Sequence, residues 1–259
     1  MTGAQPATHR YGTQPSQFGH LSLPASSPPH PVVVLLHGGF WRRPWGLDLM
    51  SGVARDLAGA GVAVWNLEYR RVGQRGGGWP GTLADVAAGI DALATAADRL
   101  SLDLTGVVVV GHSAGGQLAL WSAARRPSLP GVPSRPVSVR PAAVVSLAGV
   151  CDLEAAAAAG LGRDAVAQFL GGRVAAVPAR YRRASPHHLV PLGVPQVLVH
   201  GDRDAKVPPG QSRSYAQCAR VSGDDVQLVE VAGGDHMQML DPFHTRHALR
   251  LLRSRAALG

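Results

Sequence analysis

The sequence has few cysteines and no cluster of residues with metal-ligand spacing. Cys151 and Cys218 are the only cysteines among 259 residues, and they form no redox or metal-binding motif. The histidines are likewise too irregularly spaced to predict a metal site. We therefore expect two free thiols and no bound metal.

Long apolar runs are also absent. The most apolar segments, 32–36 and 107–110, are far shorter than the ~20 residues that cross a bilayer. The segment 1–24 is polar and has no basic start followed by an apolar stretch, as a secretory signal would. These observations predict a cytoplasmic protein that does not contact a membrane.

The net charge of +8 comes almost entirely from arginine, since Lys206 is the only lysine. A nucleic-acid-binding surface would group its cations along one element and interleave them with aromatic residues. Here the arginines occur as scattered pairs, at 42–43, 70–71, 125–126 and 182–183. We expect no nucleic-acid partner, although the charge favours anionic substrates.

Apolar strands alternate with Ala- and Leu-rich helices along the chain. We predict buried strands at 32–36, 62–67, 107–110, 142–147, 196–200 and 226–231, with an edge strand at 18–23. Helices are predicted at 45–59, 80–100, 113–126, 208–221 and 242–257, and a loop at 127–141. Regular alternation of this kind indicates an α/β protein, with a mostly parallel, doubly wound sheet in a single domain over residues 1–259.

One segment, 151–191, is too long for a plain crossover between strands. We predict that it is a small helical insertion that lies over the carboxyl ends of the strands, where ligands bind in open parallel sheets. The insertion is therefore expected to act as a lid. Together with the glycine-rich loop at 73–78, it is expected to set specificity.

The strongest motif is Gly111-His112-Ser113-Ala114-Gly115, which has the form G-x-S-x-G. A predicted strand precedes it and a predicted helix follows it, as a serine nucleophile on a sharp strand-to-helix turn requires. The small flanking residues allow the crowded backbone that such a turn needs. Ser113 is therefore the predicted nucleophile.

A serine hydroxyl needs a base and an oriented carboxylate, which follow the serine in this kind of sheet protein. His236 follows the last predicted strand and is the predicted base. Asp204, after the strand at 196–200, is preferred as the acid over Asp202, which is closer to the strand end and is expected to cap the turn.

The segment 37–41, His-Gly-Gly-Phe-Trp, directly follows a buried strand. We expect backbone N–H groups of Gly39, Phe40 and Ala114 to form the oxyanion hole of an acyl-transfer enzyme. A structural role is the simpler interpretation of His37 and His112. Residues that are candidates for lining the substrate pocket are Gly38, Trp41 and His112.

The chain resembles the esterase/lipase superfamily of α/β-hydrolases in four features that follow one another in this order: the HGGFW segment, the GHSAGG segment, Asp204 and His236. The HGGxW form and the run Glu68-Tyr69-Arg70 are similar to the branch containing kynurenine formamidase (arylformamidase) and related small carboxylesterases. The resemblance implies an α/β-hydrolase fold and hydrolysis of a small-molecule ester, or of an N-formyl amide on an aromatic amine. It also implies that no cofactor is needed.

Relatives of the lipase type often have a third glycine where this chain has Phe40. Phe40 and Trp41 either narrow the acyl pocket, which favours a short acyl group, or pack the loop on the core. A carboxylesterase and an arylformamidase remain alternatives, as does a non-catalytic binding protein with the same fold. A homodimer also remains open.

Overall fold

The computed structural model describes residues 6–125 and 137–256. Three sequence predictions lie partly outside these ranges: most of the loop at 127–141, Arg126 at the end of the helix at 113–126, and Ala257 at the end of the last helix. All other predicted elements fall on described residues.

Strands and helices alternate along the described chain. The strands are β1 Ala7–Arg10, β2 Phe18–Ser22, β3 His30–Leu36, β4 Ala63–Leu67, β5 Leu102–His112, β6 Ala143–Leu147, β7 Gln196–Gly201 and β8 Val226–Val231. The α-helices are α1 Ser51–Gly59, α2 Gly81–Asp91, α3 Leu93–Leu100, α4 Ala114–Ala123, α5 Leu153–Ala158, α6 Ala165–Leu170, α7 Pro178–Ala184, α8 Gly210–Val221 and α9 Pro242–Ala256. Short 3₁₀ helices are Leu47–Met50, Pro186–His188 and Gln238–Leu240.

The strands form one sheet in the order β1-β2-β4-β3-β5-β6-β7-β8. β2 is antiparallel to both of its neighbours, whereas every pairing from β4 to β8 is parallel. This arrangement agrees with the predicted doubly wound, mostly parallel sheet. The carboxyl ends of β3 to β8 therefore meet at one edge of the sheet, where ligands bind in such folds.

Both faces of the sheet are apolar because helices cover both. Successive residues of β3 illustrate this: Val34 and Leu36 belong to the core under α2 and α4, whereas Val33 and Leu35 belong to the core under α1 and α9. Within the described residues no helix combines the length and apolar character that a membrane span requires.

The observed elements differ from the predicted ones in several places; β5, for example, covers Leu102–His112 rather than 107–110. β1 was not predicted, because its residues Ala-Thr-His-Arg are mostly exposed and show no alternation of apolar and polar positions. The predicted helix 45–59 starts later, because Trp45 O and Leu47 N are hydrogen-bonded to Arg71 and Glu68 across the extended Gly46. The predicted helix 80–100 is interrupted at residue 92.

The segment between β6 and β7 contains α5, α6 and α7 and docks on the rest of the chain through side chains. Gln117 of α4 donates a hydrogen bond from Nε2 to Ala184 O at 2.8 Å. Trp121 Nε1, also on α4, donates to Arg183 O at 3.2 Å. The insertion is thus attached to the helix that starts at the G-x-S-x-G turn.

Gly115 packs α4 closely against the end of β3. A Cβ atom added at Gly115 would overlap the backbone carbonyl oxygens of Leu36 and His37, which cannot move without distorting the sheet. By contrast, a Cβ added at Gly52, on the exposed side of α1, would meet no atom within 4 Å.

These two glycines form a matched pair for a stability test. We expect Gly115→Ala to lower the free energy of unfolding by at least about 1–3 kcal/mol through overpacking. Gly52→Ala is expected to raise it by roughly 0.4–1 kcal/mol, because alanine restricts the unfolded chain at a helical position. Urea denaturation of both variants checks this, and equal stability of the two would contradict the packing described for α4.

Candidate functional site

Ser113 lies on a strained turn between β5 and α4. Its backbone angles are φ 57° and ψ −119°, which a non-glycine residue adopts only where its surroundings enforce them. The Ser113 N–H donates to Leu147 O at 2.8 Å, and Ser113 O accepts from Gly116 N at 2.9 Å and Val150 N at 3.3 Å. Bonds to β6 and to the segment that follows it therefore hold this turn at the carboxyl edge of the sheet.

Gly38 brings the loop after β3 directly against this turn. A Cβ atom at Gly38 would lie 2.9 Å from Ser113 Cβ and 3.0 Å from His112 Nδ1. Only a residue without a side chain allows this approach. Gly38 therefore adjoins Ser113 and His112, as expected for a residue beside the candidate site.

The Asp204 carboxylate, on the loop after β7, accepts hydrogen bonds from four groups. Oδ1 accepts from the backbone N–H groups of Lys206 at 2.8 Å and Val207 at 2.9 Å. Oδ2 accepts from His236 Nδ1 at 2.6 Å and lies 3.2 Å from His200 Nε2. Burial alone would raise the pKa of Asp204, but the bonds from His200, His236 and Val207 outweigh burial and hold this pKa below its usual value.

His236 lies on the loop after β8 and is 5% exposed. Its Nδ1 carries a proton, because the carboxylate of Asp204 can only accept. In the neutral ring, Nε2 then has a free lone pair and can accept a proton. The next turn is fixed by Asp235, whose Oδ1 accepts from Met237 N at 2.8 Å and Gln238 N at 2.9 Å.

His112 links the serine turn to the histidine loop. Its Nε2 donates to His236 O at 2.9 Å, and the two imidazole centroids are 4.6 Å apart. Burial, with the charge that His236 can carry, lowers the pKa of His112 to about 3. His112 therefore stays neutral at ordinary pH and orients the backbone of His236.

His200, the histidine near the end of β7, was not predicted to belong to the site. Its Nε2 is 2.9 Å from Val207 O as well as close to Asp204, and since both are acceptors, Nε2 carries the proton. Its Nδ1 is 2.7 Å from Ser212 Oγ. Through these contacts His200 stabilises the loop after β7, which carries Asp204. The available signal was a histidine in an otherwise apolar strand, four residues before the candidate acid.

Asp202 connects the two loops rather than approaching His236. Its Oδ1 accepts from Gly233 N, on the loop after β8, at 2.7 Å. Asp204, not Asp202, is therefore the carboxylate that contacts His236.

The loop at 37–41 turns sharply, with positive φ angles at Gly39, Phe40 and Trp41. Within the described part of the chain, the backbone N–H groups of Gly39, Phe40 and Ala114 have no hydrogen-bond acceptor. Ala114 opens α4, where the first N–H groups of a helix are left without internal partners. These three donors are free for a ligand.

A cluster of buried polar side chains stabilises the loop at 37–41. His37 Nε2 lies 2.9 Å from Glu68 Oε1, and Tyr69 Oη donates to His37 O at 2.7 Å. Glu68 Oε2 in turn accepts from Leu47 N at 3.1 Å and pairs with Arg71 at 3.3 Å. Burial tends to raise the pKa of Glu68, but the bond to His37 and the charge of Arg71 bring it below its usual value. Glu68 and Tyr69 belong to the run that the sequence singled out.

Trp41 is a candidate for lining the substrate pocket by sequence, but the structure favours the other alternative, packing of the loop on the core. It is 1% exposed, its ring stacks on Phe169 at 4.6 Å, and its Nε1 donates to Gln117 Oε1 at 2.9 Å. Because its ring is enclosed on all sides, it packs the loop on the core and on the insertion. Phe40 is half-buried, and its ring lies beside Gly162 of the insertion.

Within residues 6–125 and 137–256, no group of three or more His, Cys, Asp or Glu side chains is arranged to hold a metal ion. Cys151 and Cys218 are both free thiols. Burial raises the pKa of Cys151 to about 12, so this thiol stays protonated and unreactive.

The pKa of His112 gives a prediction about stability. In the folded protein His112 becomes protonated only near pH 3, whereas in the unfolded chain it is protonated below its ordinary pKa of about 6.5. Between these two pH values the unfolded chain therefore binds one more proton than the folded protein. Stability should therefore fall with falling pH in this window, by up to about 1.4 kcal/mol per unit from this residue. Glutamine keeps an N–H donor but does not titrate, so His112→Gln should flatten the fall.

Urea denaturation at several pH values from 4 to 7 measures this slope. His188→Gln, at an exposed position, serves as the control and is expected to keep most of the wild-type slope. An unchanged slope in His112→Gln would contradict the buried, neutral state of His112.

Comparison with known proteins identifies relatives of this chain. The BD-FAE family model matches residues 21–218. Esterase LipC of Mycobacterium tuberculosis is 29% identical over 95% of this chain, and the chain spans 65% of the length of that protein.

Solved structures share the fold along nearly the whole chain. Esterase B from Lactobacillus rhamnosis is 25% identical, with a TM-score of 0.81 over 97% of this chain and 85% of its own. A thermophilic esterase from Thermogutta terrifontis gives a TM-score of 0.77 at 20% identity over 96% of this chain and 91% of its own. A truncated carbohydrate esterase from gut microbiota gives 0.82 at 18% identity over 99% of this chain and 97% of its own. The predicted α/β-hydrolase fold is confirmed, and the chain belongs to the BD-FAE family.

Proposed function

We propose that this protein is a serine hydrolase that cleaves small carboxylic esters through Ser113, His236 and Asp204. The observation that carries the proposal is the 2.6 Å hydrogen bond between His236 and Asp204, beside a serine on a strained strand-to-helix turn. The relatives named as esterases support ester hydrolysis as the reaction.

In the proposed cycle, His236 Nε2 accepts the Ser113 hydroxyl proton as Ser113 Oγ attacks the ester carbonyl carbon. Asp204 keeps the proton of His236 on Nδ1 and stabilises the imidazolium that forms. His236 then protonates the leaving alcohol, and the C–O bond breaks to give an acyl-enzyme. Water, deprotonated by His236, hydrolyses this ester and restores Ser113.

The negative charge on the carbonyl oxygen is proposed to be stabilised by the free N–H groups of Gly39, Phe40 and Ala114. One such donor typically contributes about 3 kcal/mol to the transition state. The cluster of His37, Glu68 and Tyr69 supports this assignment, because it fixes the loop before substrate arrives. A preorganised loop avoids reorganisation during the reaction.

Phe40 is proposed to leave room only for a short acyl group, since its ring lies beside Gly162 of the insertion. The insertion at 151–191 is proposed to cover the site as a lid. The same residues could cleave an N-formyl amide, whose acyl group is the smallest, so an arylformamidase is the second candidate.

The first test compares wild type and Ser113→Ala on p-nitrophenyl acetate, butyrate and octanoate and on N-formylkynurenine. We expect kcat/KM to be highest for the short esters and to fall at least about 10³-fold in the variant. A higher kcat/KM for N-formylkynurenine would favour the arylformamidase. Wild-type activity in Ser113→Ala would exclude Ser113 as the nucleophile, and no turnover by wild type would favour a binding protein.

Asp204 and Asp202 allow a matched test of the acid. In Asp204→Asn, the amide oxygen suits the N–H groups of Lys206 and Val207, so the NH₂ group faces His236 and forces its proton onto Nε2. We expect kcat to fall on the order of 10³–10⁴-fold. In Asp202→Asn, the amide oxygen still accepts from Gly233, so most activity should remain.

Steady-state kinetics at several pH values decide between the two carboxylates. Because the pKa of Asp204 is held below its usual value, Asp204 stays ionised, and the acid limb of kcat/KM in wild type should report a single proton. A larger loss in Asp202→Asn than in Asp204→Asn would contradict the proposed acid.

A further inference from the structure

A cleft of about 420 Å³ lies at the carboxyl edge of the sheet, between the β1–β2 turn and the loops after β3 and β4. Its volume is in the range of small-molecule sites. The residues that carry its chemistry are Gln14, Ser16, Arg43, Arg70, Gln74 and Arg75.

The floor of the cleft is fixed by hydrogen bonds. Arg70 makes a bidentate ion pair with Asp85, from Nε to Oδ2 at 2.8 Å and from Nη2 to Oδ1 at 2.7 Å. Gln74 donates to Ser16 Oγ at 2.8 Å and accepts from Arg71 N at 2.8 Å. Because Asp85 uses only Nε and Nη2, Arg70 Nη1 is left for another acceptor.

Two guanidinium groups of the cleft have no counter-ion. Arg43 and Arg75 are exposed and form no ion pair with any part of the chain that the structure describes, whereas Asp85 neutralises Arg70 and Glu68 pairs with Arg71. The cleft therefore carries an excess of positive charge. Guanidinium groups match the planar or tetrahedral oxygens of carboxylates and phosphates and bind them through paired N–H donors.

The cleft lies at the same edge of the sheet as Ser113. Arg43 belongs to the loop after β3, Arg70 and Arg75 to the loop after β4, and Arg43 N is bonded to Val72 O at 3.0 Å between those loops. β4 is separated from β5 only by β3, so the strand ends that precede Arg70 and Ser113 are roughly 10 Å apart.

We propose that this cleft is a binding site for a small anion, namely a phosphate or carboxylate group. The group is either part of the substrate or belongs to a separate ligand. The cleft thus brings together arginines from two loops, the one after β3 and the one after β4.

Calorimetric titration with sodium phosphate at low ionic strength tests the site without any need for catalysis. The cleft variant is Arg43→Ala/Arg75→Ala, and the charge-matched control is Arg250→Ala/Arg253→Ala on the exposed side of α9. We expect one saturable site in wild type and in the control, and an affinity at least about tenfold lower in the cleft variant. The absence of saturable binding in wild type, or an equal loss in both variants, would overturn the proposal.

The source of the anion is distinguished with two acetyl esters of equal length, 4′-acetoxybiphenyl-4-carboxylate and its carboxamide. If the anion belongs to the substrate, the cleft variant should lose about tenfold in kcat/KM for the carboxylate and nothing for the carboxamide. If both rates are unchanged while phosphate binding is lost, the anion is a separate ligand. Should wild type cleave neither of these esters nor p-nitrophenyl acetate, the esterase proposal fails, whereas the calorimetric result stands by itself.

Discussion

The hydrogen bond between His236 and Asp204 joins two loops that are 32 residues apart in the chain, and the candidate site depends on it. The parallel pairing of Gly201 with Val231 makes β7 and β8 end side by side, so the loops that follow them start together. Asp202 then ties the loops through Gly233, and His112 holds His236 through its backbone carbonyl. Each end of the bond is therefore held by groups other than its partner, which fixes its geometry.

Crowding at the carboxyl edge imposes a second constraint. The serine turn, the end of β3 and the 37–41 loop are packed so closely that Gly38 and Gly115 have no room for a side chain. This closeness places the free N–H groups of the 37–41 loop beside the residue that precedes α4. Backbone strain at Ser113 is sustained by bonds to β6 and to the segment that follows it.

The sequence was sufficient to predict the sheet, the strand-to-helix turn and the preference for Asp204 over Asp202 as the partner of His236. These features depend on local patterns: apolar strands, small residues around Ser113, and polar residues directly after strands. The role of His200 could not be predicted, because its contacts with Val207 and Ser212 depend on how the loop after β7 folds back. For Trp41 the sequence left the pocket and the core as alternatives, since the ring that stacks on it, Phe169, comes from an insertion more than a hundred residues away.

Gln117 contacts two parts of the protein at once. Its side-chain oxygen accepts from Trp41 of the 37–41 loop, while its nitrogen donates to Ala184 O of the insertion. One amide therefore couples the insertion to the 37–41 loop, so that a change at position 117 disturbs both regions together.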